Sequence, residues 1–578
     1  MAYEKLKTES YVASGGINSK VSPYNNAENE SRDIINMNFA TPGALTKRPG
    51  TTLFTGATVT GRITGIYEFE RLNGSSYVIA TANTNAYTVN SSNFSVFKSS
   101  LLNSALFDFT TLTDRMFAGN GQDFFKFNGV TSYAYSLPNG ASGWGVTAVI
   151  GGGLSGLYVA SWGYINERGY FGPATNGITI SLNGSTFGSI GYVGLTALGG
   201  YGITALQLYR SIAGGIDTFG TTTVISTGVT AVDTGFPLTN LTSNDNLFFT
   251  LAPKYLEIYN NQLFMAGFSG YQSTAFWSEV GEPEAVDPTF FAEFRTNDGD
   301  RITALKSYQG SLLVFKNKSF HRITGDNPSN FALQEITDQY GCVSNRAVVT
   351  FEDVCWFLDP KGIVEYNGAN VSVVSNKVES VFKDMNLSAA LENAVAIHNR
   401  ESNEVWFAIP CNGADYNNCI IVYDYLTKAW TRYEGVNVSS IMLGKGALSE
   451  RAVIVGSYTG SISNFGDSYY SDLGAAITCT IRTAYLAKLG QTSEAQYRRF
   501  YLNLDSITGI TQPININLYC NYGASLSVSR TMYQNPFQSR IDFGIPARSI
   551  QAEIIHSSAS LPLRVYGYAF ESRFQRNT

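Results

Sequence analysis

One scheme recurs along this chain: a short strand, a polar turn, an apolar strand, a second turn, and a strand rich in aromatics. It is plainest in ALKSYQGSLLVFKNKSFHRITGD, residues 304–326, where Gln309-Gly310 and Lys316-Asn317 make the turns and Leu312 to Phe315 the central strand. EIYNNQLFMAGF precedes it, and VTFEDVCWFLDP, IHNRESNEVWFAIP and ALSERAVIVGSY follow; YEFERLNGSSYVIA and LTDRMFAGNGQDFF are weaker copies upstream. Apart from one long interruption the copies return every ~40 to 50 residues, the period of four-stranded propeller blades. The expected fold is all-β, a β-propeller of about seven blades. Radial repetition suits such strands, because each small sheet buries both faces against its neighbours and leaves only short edges open. An irregular series of β-sandwiches is the other fold that fits the pattern.

The interruption, residues 140–250, is rich in Gly, Thr and Ser and nearly free of charge, with longer strands such as ITALQLYRS. It reads as a β-sandwich inserted between blades. After about residue 470 the scheme stops, and alternating strands such as AQYRRFYLNLDS and PININLYCNYG predict a further β-sandwich-like region. The resulting organisation is an N-terminal arm and ring-closing strand (1–60), first blades (61–139), the inserted sandwich (140–250), remaining blades (251–470) and a C-terminal β-rich region (471–578). Helical spacing is confined to VESVFKDMNLSAALENAV, 378–395. Charged residues make up only 15% of the chain, aromatics 13%, and glycine fills 56 positions, as strands joined by tight turns require.

The formal net charge of −6 argues against a chain whose affinity comes from neutralising phosphates. No apolar run follows the N-terminal lysines as a secretory signal would, and the most apolar stretch, near residues 147–160, is broken by glycine and too short to span a bilayer, so membrane insertion is not expected. Six cysteines lie in the second half without a C-x-x-C pair and read as buried free thiols. The three histidines, His321, His398 and His556, belong to no metal motif, and neither a nucleophile elbow nor a P-loop occurs. No metal, cofactor or catalytic residue is therefore expected. GGGLSG (151–156) has dinucleotide-loop spacing but runs into a strand rather than a helix, which makes it a junction into the inserted domain. Asp298 and Asp300 in RTNDGDRI read as a turn between blades, although two carboxylates there also suit calcium or glycoside chemistry. Arg498 and Arg499 among aromatics suit a nucleic-acid strand, yet fit a solvated strand edge better.

Residues 15–50, GGINSKVSPYNNAENESRDIINMNFATPGALTKRPG, resemble the start of tail nozzle or hub proteins of short-tailed double-stranded DNA bacteriophages. Gly15, Gly16, Glu30-Ser31, IINMNF at 34–39, Gly43, Lys47, Arg48, Pro49 and Gly50 carry the resemblance, which continues in NERGYFGPAT, LQLYRS, GDRITALKSYQGSLLVFKNKSFHRITGD and YRRFYLNL. It implies a structural virion protein of the tail, synthesised in the host cytoplasm, forming a homo-oligomeric ring, with six copies the expected number. Its implied partners are the tail adaptor, other tail proteins and duplex DNA in transit during ejection, with the host cell surface a further candidate. A receptor-binding or glycan-degrading tail propeller is the rival function. From the residues alone, Pro42-Gly43 and Pro49-Gly50 turn the chain, and ALTKR between them reads as a short strand able to close the propeller. Lys47 and Arg48 are then expected to be edge charges or contacts to an adjoining subunit rather than phosphate ligands.

Overall fold

The computed structural model describes residues 7–574 apart from 24, 103–104, 141, 170, 197, 227–229, 239–250, 297, 446–450, 488–493, 506–511 and 534–539. Five antiparallel sheets of four consecutive strands stand out, beginning at Ile63–Glu70, Asp108–Leu112, Tyr255–Tyr259, Ile302–Tyr308 and Val348–Phe351. A sixth begins at Val395–Asn399 and ends at Ala429–Glu434, and a seventh comprises Ser440–Lys445, Arg451–Gly456, Ile462–Gly466 and, from the other end of the chain, Gly50–Leu53. These are seven blades. The second strands are strongly apolar: Ser311–Lys316 and Glu404–Ile409 are buried at every position. That is the pattern of a strand covered on both faces.

Shared cores between neighbouring blades close the circle. Phe69 and Ile79 pack with Met116 and Phe125, Phe117 with Leu263, Phe264 with Val314, and Phe315 with Phe357. Leu358 then packs with Phe407, Trp406 with Val455, and Ile454 of the seventh blade returns to Ile63 and Ala80 of the first. The seven opening strands are each blade's innermost and lie side by side around the axis. The strand that completes the seventh blade pairs Ser463 with Leu53 and Gly466 with Gly50, so residues distant in sequence join the ring. The ring-closing strand is therefore Gly50–Leu53, not ALTKR. Leu45–Lys47 instead pairs with Met37–Asn38 and with the last strand, Arg564–Phe574.

Between the second and third blades stands a sandwich of two sheets, one ordered Gly145–Gly152, Phe187–Val193, Thr230–Asp233 and the other Ile178–Asn183, Ser155–Asn166, Ile203–Ser211, Thr218–Ser226. Trp162, Tyr164, Tyr192 and Leu206 fill the space between them, and Arg210 Nε donates to Asp233 Oδ2 at 2.7 Å across it. GGGLSG lies inside this sandwich, connecting two of its strands, rather than at its junction with the blades. Gly151 and Gly152 adopt φ of 91° and 82°, a left-handed conformation that accounts for glycine there. Among the described residues helix is confined to two short segments, Glu379–Lys383 and Leu387–Asn393, ahead of the sixth blade, and two 3-10 turns. After the seventh blade come further antiparallel strands, with Ala475–Thr483 pairing Ile550–Ser558, and Ala495–Leu504 lying between Arg540–Ala547 and Arg564–Phe574. Ser31–Ile35 of the N-terminal arm pairs with both Ala429–Glu434 of the sixth blade and Ala475–Thr483, binding arm, propeller and C-terminal region into one hydrogen-bonded sheet.

Candidate functional site

The basic pair of the arm is buried, which overturns the expectation of edge or subunit-contact charges. Arg48 is 0% exposed at its side chain, and its guanidinium uses all of its donors internally. Nε donates to Asn36 Oδ1 at 2.8 Å; Nη1 donates to Pro49 O and Asp472 Oδ1, both at 3.0 Å; Nη2 donates to Glu434 O at 3.0 Å and Asp472 Oδ2 at 2.5 Å. The Tyr433 and Phe465 rings, from the sixth and seventh blades, lie 5.7 and 5.9 Å from its carbon. No donor remains for a phosphate. Lys47 is also buried, its Nζ donating to Ser558 O at 2.6 Å and Leu561 O at 3.1 Å, and burial pushes the ammonium below its ordinary pKa.

The glycines around this knot serve close approach. Gly16 has φ of 71°, and a Cβ there would stand 2.6 Å from Trp430 N. At Gly50 a Cβ would meet Ser471 O at 2.4 Å, where Gly50 N donates to Tyr469 O at 2.7 Å. Pro49 accepts from Arg48 through its carbonyl, Gly15 N donates to Asn29 O, and Gly43, at φ of 75° with open space around it, turns the chain before Leu45–Lys47. Two members of the knot had no role assigned from sequence, although the first falls within IINMNF. Asn36, at φ of 58°, accepts from Arg48 and Glu434 N while donating to Thr478 O, and Asp472 supplies the counter-charge from 424 residues away. An Asn able to adopt the left-handed region is a weak local signal for the first; nothing local marks the second.

The remaining candidates are held apart. Asp298 accepts from buried Lys316 Nζ at 2.7 and 2.8 Å, and Asp300 accepts from Asn317 Nδ2 at 2.6 Å, so each carboxylate braces the turn of the next strand pair. His321, His398 and His556 sit in the fourth blade, the sixth blade and the C-terminal region; burial pushes the latter two down to about 4. The six cysteines are free, and five of them are buried. Among the described residues no group of His, Cys, Asp and Glu is placed to hold a metal, and no helix is long and apolar enough to cross a membrane. Arg499 is occupied by Asp542 at 2.9 Å and Glu571 at 3.0 Å, while Arg498 is exposed.

The innermost strands enclose an axial cavity of about 610 Å³, lined by Tyr67, Asp108, Glu257, Lys306, Arg346 and Met442 among others. Its polar groups cross-link blades. Asp108 of the second blade accepts from Leu256 N of the third at 2.8 Å and from Asn345 Nδ2, ahead of the fifth, at 2.5 Å. Burial pushes its carboxyl up to about 6. Glu257 of the third blade accepts from Lys306 Nζ and Ser307 N of the fourth at 3.3 and 3.2 Å. The cavity holds on the order of twenty water volumes and is too small to pass a duplex.

No family model and no curated protein matches the chain. Among solved structures it is similar to BBS1N in complex with ARL6DN, at 9% identity and a TM-score of 0.28 over 72% of this chain and 95% of that one. It is similar also to the Pan2 WD40 domain of Neurospora crassa, at 9% identity and a TM-score of 0.27 over 63% and 89% of the two chains, and to the AfRom2 CNH domain, at 8% identity and a TM-score of 0.22 over 63% and 96%. Similarity at these levels carries no weight, and the propeller stands on the chain's own strand pairing and shared cores.

Proposed function

We propose that this protein is a structural component of a short bacteriophage tail, a nozzle or hub whose copies form a ring that continues the DNA channel and conducts the genome during ejection. The observation that carries the reading is the coincidence of two properties in residues 15–50. The residues that bear the resemblance, Gly16, Arg48 and Gly50 among them, are those that pin the arm to the sixth blade, the seventh blade and the C-terminal strands. A subunit that must keep its shape while a genome passes needs such a joint. The channel runs between copies, since the axial cavity of each propeller, about 610 Å³, is too small to pass a duplex. The subunit works without catalysis: Asp298 and Asp300, the carboxylates that would favour a glycan-degrading rival, are engaged in bracing turns. Electron microscopy of the purified protein and of virions tests the reading. Closed rings with a central opening are expected in at least one, as heterologous contacts produce when the rotation per subunit closes. Single propeller-sized particles in the purified protein, with no ring of this chain in virions, would overturn it.

A further inference from the structure

The innermost strands enter the axial cavity in the same sense, and a basic residue stands one or two positions before four of the seven. Arg62 precedes Ile63–Glu70, Lys254 precedes Tyr255–Tyr259, Arg301 precedes Ile302–Tyr308, and Arg346 stands two residues before Val348–Phe351. The four cations fall near one another at one mouth of the cavity, where Arg346 feels the charge of Arg62, and Lys254 those of Arg301 and Arg346. Arg346 and Lys254 line a recess there together with Asp108 and Glu392. Counter-charge is short. Two carboxylates face the four cations: Glu392, 3.8 Å from Lys254 Nζ but 63% exposed, and Asp108, which attracts Arg346 while accepting from Leu256 N and Asn345. Arg346 makes one long hydrogen bond, from Nη1 to Thr64 O at 3.5 Å.

Arg62 is the most telling member. Its Nη1 donates to Asn393 Oδ1 at 2.7 Å and the Tyr458 ring lies 4.7 Å from its carbon, yet Nε and Nη2 are buried without a partner. These two atoms form one edge of the guanidinium, the fork that grips two oxygens of a carboxylate or phosphate. Burial lowers the pKa of Arg62 and of Lys254, and brings Arg346 to about 10, with Arg62 and Arg346 repelling one another. Leaving such donors unpaired beside like charges is unfavourable, and a bound multivalent anion relieves both terms.

We propose that this mouth of the axial cavity is a binding site for a phosphate group, held by Arg62, Arg346 and Lys254 with Arg301 at the rim. A phosphate has enough oxygens and charge to engage several of these cations together, which a single carboxylate lacks. Titration calorimetry of the full chain with inorganic phosphate, at ionic strength held constant with chloride, tests the site. Saturable binding near one per chain is expected, weakened about tenfold or more by R346Q and by R62Q, while R540Q, at an exposed strand position, leaves it unchanged. Without phosphate, R62Q and R346Q should melt at or above the wild-type temperature, because each removes a repelling charge. A nucleoside monophosphate forms the second arm: tighter binding than inorganic phosphate identifies a phosphoester ligand, and equal or weaker binding the free ion. Absence of saturable binding in both arms, or equal affinity in wild type, R62Q and R346Q, would overturn the proposal. Lowered melting in the two variants with phosphate affinity unchanged would assign the arginines a purely structural role.

Discussion

At the residue scale the molecule turns on Arg48. A guanidinium withdrawn from water is tolerated only when its charge and every donor are met, because each lost partner leaves an uncompensated buried group. Here the carboxylate of Asp472, the amide oxygen of Asn36 and two main-chain carbonyls meet them, with aromatic rings nearby. Lysine keeps the charge but offers a point ammonium in place of a planar fork, and so cannot reach Asn36, Glu434 O and Asp472 together. R48K is therefore expected to lower unfolding free energy by about 3 to 5 kcal/mol, read as a reduced urea midpoint with tryptophan fluorescence. A loss below about 1 kcal/mol would show that the knot is incidental to stability. The sequence alone pointed to this residue but mistook its setting. Charge is ordinarily a mark of exposure, and the partner that reverses the inference, Asp472, lies 424 positions away where no local pattern can announce it.

At the element scale the seventh blade is the weak place of the ring, since its fourth strand, Gly50–Leu53, comes from the opposite end of the chain. Closure depends on Gly50 fitting against Gly466 beneath Ser471, where a side chain has no room. G50V should push this strand off Ile462–Gly466. Trypsin is then expected to cut at Arg451, in the neighbouring strand Arg451–Gly456, at protease levels that leave the wild type intact. An unchanged digestion pattern would mean that the blade closes without this strand. The same element shows what was legible. The apolar second strands, such as Leu312 to Phe315, announced themselves by composition, and their spacing gave the blade number. Outermost strands did not: Ala332–Thr337 is mostly exposed and Val371–Val373 has three residues, so neither carries a burial pattern. Short, polar outer strands are also what discourages pairing between molecules, which ties their illegibility to their role. ALTKR was readable as a strand, but its partner, Arg564–Phe574, was not, because sheet register between distant segments is fixed by tertiary packing rather than by local sequence.

At the scale of the whole molecule the proposed ring raises the question of how strongly its subunits hold DNA. Each neutralised phosphate adds affinity by releasing counterions, and affinity along a conduit acts as friction. This chain has withdrawn several of its cations from that use: Arg48, Lys47, Lys126, Lys316 and Arg210 are buried, four of them against carboxylates and Lys47 against carbonyls. The formal charge of −6 per chain becomes about −36 in a ring of six, and carboxylates facing the lumen would repel a duplex across a Debye length of about 8 to 10 Å. The cationic mouth proposed as a phosphate site does not alter this, because it is a small recess within the propeller with no room for a duplex. Binding of linear duplex DNA to the purified protein is therefore expected to be weak near physiological salt and to strengthen only modestly as salt is lowered. Fluorescence anisotropy across a salt series measures both quantities. Submicromolar affinity at physiological salt with a steep salt slope would require a basic belt exposed to the channel, and would replace free sliding with a subunit that grips the genome until some other force drives it through.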